Sequence, residues 1–93
     1  MRIARLPESV KRLPVAVRIP VLQQIVNAEL HRQNICPNGQ YVAGPSTNRV
    51  AIVRRNRAYY AESNFSNYNR QTGESVPETY LETIAIEAIE KAV

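Results

Sequence analysis

The sequence predicts a small α+β domain: an extended N-terminal arm over residues 1–19, then helix, three-stranded antiparallel meander and C-terminal helix over residues 20–93. Three observations lead there. Apolar residues recur at helical spacing in two stretches, near residues 21–33 and 77–93. Between them lie short β-branched and aromatic runs separated by Gly, Pro and Asn. The length, 93 residues, is that of one small domain.

The arm repeats an Arg–apolar–Pro unit as Arg5-Leu6-Pro7, Arg12-Leu13-Pro14 and Arg18-Ile19-Pro20. Each proline steers the residue before it toward extended backbone, so Leu6, Leu13 and Ile19 are expected to be extended. One helical turn is expected after Pro7, because proline suits a first helical position. Val15-Ala16-Val17 reads as a short edge strand or extended stretch.

Pro20 reads as the first turn of a helix over 21–33 that buries Val21, Leu22, Ile25, Val26 and Leu30. Gln23, Gln24, Asn27, His31 and Gln33 are then directed outward. Asn34 can end it, and Cys36-Pro37-Asn38-Gly39 reads as a turn. Strands are expected at 40–43, 49–53 and 57–62, the last two joined by a tight turn containing Asn56. Residues 63–75 read as a mobile polar loop. Ser75 and Glu78 have capping-box spacing before the last helix. The apolar arc of that helix is broad enough to meet a second surface, such as the same helix in another copy.

Composition excludes several classes. At 44% apolar residues the chain is too hydrophobic for an ordinary disordered tail. Cys36 stands alone, which removes an intramolecular disulfide framework and a cysteine-built zinc site. No run approaches the roughly 18 apolar residues that cross a bilayer, and the basic start lacks the apolar stretch of a secretory signal. A cytoplasmic location and no membrane partner are expected. His31 is the only histidine and there is no Asp, so no triad or metal-ligand cluster can be assembled, and Gly39, Gly44 and Gly73 lie too far apart for a Gly-rich phosphate loop. The expectation is a non-enzymatic protein with no cofactor and no metal.

Charge is unevenly divided. The formal net charge is +4, with ten Arg and two Lys against eight Glu. Residues 1–73 hold eleven basic and three acidic groups (+8), whereas residues 74–93 hold one and five (−4). Such asymmetry points to two faces with different partners, or to two faces that meet each other in an oligomer. The best binding candidate is Arg54-Arg55-Asn56-Arg57-Ala58-Tyr59-Tyr60, with Arg5, Arg12 and Arg18 of the arm. Guanidinium groups match phosphates, and flat rings stack with unpaired bases. Strand alternation sends Tyr59 and Tyr60 to opposite faces, so only one can be in the core.

The helix–three strands–helix order, with Gly44-Pro45 after Tyr41, is similar to that of double-stranded RNA-binding domains. Those domains grip RNA with a basic cluster opening the last helix, where this chain has Glu74, Ser75, Glu78 and Glu82. The similarity is therefore one of shape, without that RNA-binding face. The leading expectation is a basic module contacting nucleic acid or a nucleoprotein assembly through on the order of three to six phosphates. The alternative is a small interaction, inhibitor or assembly protein of viral or mobile-element type, docking on an acidic protein surface.

Overall fold

The computed structural model describes residues 2–37, 49–64 and 66–92. They form an α+β fold in which two long helices cover one face of a three-stranded sheet, with a second small sheet beside it. Strand β1 (Arg2–Ala4) opens the chain, followed by the short helix α1 (Glu8–Lys11) and the long helix α2 (Val15–Arg32). Strands β2 (Ile35–Pro37), β3 (Val50–Arg55), β4 (Ala58–Ser63), β5 (Asn67–Asn69) and β6 (Ser75–Val76) precede helix α3 (Glu78–Lys91).

Each helix starts directly after a proline in extended conformation. Pro7, Pro14 and Pro77 have φ of −63°, −54° and −62° and ψ of 155°, 145° and 147°, and none of the three helices has a side-chain N-cap bond. This corrects two expectations. Residues 15–17 are helical rather than a strand, because Pro14 rather than Pro20 takes the pre-helix position. Pro20 lies inside α2, where it removes one hydrogen bond, to the Ala16 carbonyl. Two valines in a first turn cost only tenths of a kcal/mol each. Ile19 is likewise helical and packs at the margin of the core. Ser75 does not cap α3; it pairs with Tyr68 in β6.

The main sheet has the order β1–β4–β3 and is antiparallel throughout. The expected strand at 40–43 and the 44–48 connection lie outside the described residues. Among the described residues the third strand beside the β3–β4 hairpin is β1, which pairs Arg2 with Ala61, Ile3 with Tyr60 and Ala4 with Tyr59. The expected strands at 49–53 and 57–62 are observed, shifted to Val50–Arg55 and Ala58–Ser63.

Residues 63–75, read as a mobile loop, instead supply two strands of a second sheet, ordered β2–β5–β6. Asn69 organises the turn between them. Its Oδ1 accepts the N–H groups of Gln71 (2.8 Å) and Thr72 (3.0 Å), and its carbonyl accepts that of Gly73 (2.7 Å). Gly73 has φ +75°, which only glycine adopts without strain. A polar, Asn-rich sequence here makes an Asx-type turn in place of a disordered one.

The core lies between the helices and the inner sheet face. Leu22, Val26 and Leu30 of α2 meet Val50, Ile52, Tyr59 and Ala61 of the sheet and Leu81, Ile84, Ala85, Ile86 and Ile89 of α3. The broad apolar arc of α3 is thus used within this chain, one side against α2 and the other against β1 and β4. No helix among the described residues is long and apolar enough to cross a membrane.

Candidate nucleic-acid interface

The β3–β4 hairpin turns through Asn56 and Arg57, with Arg55 paired to Ala58 on either side. Both central residues have positive φ, 51° and 67°, the signature of a type I′ turn that matches strand twist. Asn tolerates this region. Arg57 occupies the position where glycine is usual, at a cost of about 1–2 kcal/mol. Its guanidinium is exposed and makes no hydrogen bond or ion pair with the described residues.

Alternation along β3 and β4 sorts the neighbouring groups onto two faces. Val50, Ile52 and Arg54 share the inner face with Tyr59 and Ala61; Ala51, Val53 and Arg55 share the outer face with Ala58, Tyr60 and Glu62. Tyr59 is the core ring, only 4% exposed, and Tyr60 is the half-exposed one. At the open end of the inner face the Arg54 guanidinium lies over the Tyr59 ring, 5.8 Å from its centroid. That cation–π contact holds Arg54 at the tip without neutralising it. On the outer face Arg55 is 3.9 Å from Glu62, both side chains being substantially exposed.

The arm arginines separate into three situations. Because Ala4 pairs with Tyr59, Arg5 leaves β1 at the hairpin-tip end of the sheet, exposed and without a partner among the described residues. Arg12 is exposed at the end of α1, on the helical side. Arg18 is engaged internally: its Nε donates to the Leu13 carbonyl (3.0 Å) and its Nη2 to the Lys11 carbonyl (2.7 Å), closing the α1–α2 connection. The tip thus gathers Arg5, Arg54, Arg55 and Arg57, while Arg12 and Arg18 lie away from it.

Two further basic groups, Arg2 and Arg49, are committed elsewhere. Arg2 donates to the Thr83 hydroxyl (2.6 Å). Arg49 is half-buried, with its Nη2 on the Asn27 carbonyl (3.3 Å), and burial pushes its pKa down. Sequence reasoning missed Ile3, Val53 and Glu62 as members of the outer face. The alternation of 50–55 and 58–63 contained Val53 and Glu62, but nothing local marks three residues at the start as a strand. Among the described residues no group of three or more His, Cys, Asp or Glu side chains could hold a metal ion.

Comparison with family models, with curated proteins and with solved structures returns no match for this chain.

Proposed function

We propose that the protein is a nucleic-acid-binding module whose contact surface is the hairpin tip with Arg5, Arg54, Arg55 and Arg57. The observation that carries this reading is Arg57. An arginine is held in left-handed backbone at the turn, where glycine would be less strained, and its exposed guanidinium has no partner among the described residues. Strain of that kind persists where the side chain has a use. The clustering supports a polyanionic partner: four arginines lie at one end of the sheet, and among the described residues Glu62 is the carboxylate on its outer face. Arginine also matches phosphate geometry with paired donors.

Titration of a nucleic acid at several salt concentrations tests this. Three or four phosphate contacts give a slope of log affinity against log salt of about −2 to −4. Replacing Arg54, Arg55 and Arg57 together with Ala should remove most of that slope while circular dichroism stays unchanged. An unaltered slope would refute the assignment of the tip, and no binding at low salt would refute the function.

A further inference from the structure

We infer that the outer face of the β1–β4–β3 sheet receives an unpaired nucleic-acid strand, with a base stacked on the Tyr60 ring. This deepens the nucleic-acid reading above and rests on it.

The register builds the platform. Ile3, Tyr60 and Val53 are direct cross-strand neighbours, so they form one row across all three strands. Ile3 is 60% exposed, while Tyr60 and Val53 are half-buried. The row is about 10 Å wide, from two inter-strand spacings. Both long helices pack on the opposite face, where the core lies. Tyr60 has small neighbours: Ala58 two residues earlier on its own strand, and Ala51 diagonally across on β3. With no bulky side chain at those positions the ring is left accessible for a flat partner.

Charge selects the occupant. Arg55 is the other diagonal neighbour of Tyr60, on the hairpin side, and Arg5 follows β1 on the opposite flank. An aromatic ring bracketed by arginines suits a strand whose bases are free and whose phosphates run alongside. Duplex nucleic acid cannot use the ring in this way, because each of its bases is already stacked on its neighbours. An acidic protein surface would engage the arginines but leave the apolar row unmatched. Glu62 is the countervailing group, and its 3.9 Å contact with Arg55 is loose enough to yield to a phosphate.

The test uses the full chain and a labelled oligonucleotide of about ten nucleotides, offered as a single strand, as a duplex and as an abasic strand of equal length. The single strand should bind at least about tenfold tighter than the other two. Tyr60→Ala should weaken single-strand binding about tenfold with an unchanged salt slope, whereas Tyr60→Phe, which keeps the ring, should bind as the parent does. Equal affinity for duplex or abasic strand, or an indifferent Tyr60→Ala, overturns the stacking inference and leaves the tip's phosphate contacts standing. Should Tyr60→Ala alter self-association alone, the face belongs to a second copy and the inference is wrong. Failure of all three probes to bind removes the function itself.

Discussion

The side-chain amide of Gln23 takes the place of a strand's peptide group beside Ile52. Its Oε1 accepts the Ile52 N–H (3.1 Å), and its Nε2 donates to the Val50 carbonyl (2.7 Å) and to Asn27 Oδ1 (3.0 Å). Helical spacing directs Gln23 outward; in the fold it is half-buried and joins α2 to the backbone of β3. One amide has both the donor and the acceptor that a β ladder requires, which a carboxylate or an alkyl chain lacks.

Gln23→Ala should therefore cost about 1–3 kcal/mol in chemical denaturation, since it leaves two partly buried backbone groups without their partner. Gln23→Glu adds a check on the mechanism. A protonated carboxyl can donate to Val50 and a carboxylate cannot, so the folded-state pKa of the introduced group is raised. Its stability contribution should be present at low pH and lost as pH rises through that pKa. An acid-insensitive Gln23→Glu variant would contradict the paired-bond account.

Arg57→Gly separates stability from binding. Relief of left-handed strain contributes about 1–2 kcal/mol, and the added freedom of the unfolded chain offsets about 0.4–1 kcal/mol of it. The variant should match or exceed the parent in thermal denaturation while losing about one phosphate contact from the salt slope. A less stable Arg57→Gly protein would mean that the side chain supports the fold.

Arg18→Ala should show the reverse pattern. Two charge-assisted bonds to the Lys11 and Leu13 carbonyls are lost, at roughly 1.5–3 kcal/mol for such groups, yet the salt slope should be unchanged. A reduced slope in a folded Arg18→Ala protein would place this residue on the binding surface after all.

Tyr59 places a phenol hydroxyl in the core, where it has no hydrogen-bond partner among the described residues. Tyr59→Phe keeps the ring under Arg54 and removes the unsatisfied group. Unchanged stability, or a gain of up to about 1 kcal/mol, is expected from equilibrium unfolding. A clear loss would reveal a bond that the hydroxyl makes.

Acid stability should report on Glu29. The Arg32 guanidinium, first, and the Gln33 amide, second, hold its pKa at about 2, below the ordinary 4.5. A lowered carboxylate pKa contributes stability above pH 4.5 that is lost as pH falls toward 2. Arg32 is exposed, so solvent screening keeps the effect small. Glu29→Gln should flatten the stability profile across that window; an identical profile would mean that the pair contributes nothing to folding.

Local pattern alone determined much of this protein. The 3.6-residue spacing of Leu22, Val26 and Leu30, and of Leu81, Ile84 and Ala85, marks the two helices whatever they pack against. Alternation in 50–55 and 58–63 marks a hairpin, and Asn56 its turn. The arginine-rich tip is visible because its members are sequence neighbours. Even the opposition of Tyr59 and Tyr60 follows from a period of two, though alternation says nothing of which side is the core.

Tertiary structure decided that side, because α2 and α3 both cover the face carrying Val50, Ile52 and Tyr59 and leave Tyr60 outward. It also recruited β1 as the third strand, which brings Arg5 to the tip and Ile3 beside Tyr60 across more than fifty residues of chain. It drew Arg18 into the α1–α2 connection and turned Gln23 toward β3. All of these depend on pairing between distant segments, whose energy comes from backbone groups common to every residue. Side-chain periodicity records the face of an element; which other element that face will meet is settled only when the chain closes on itself.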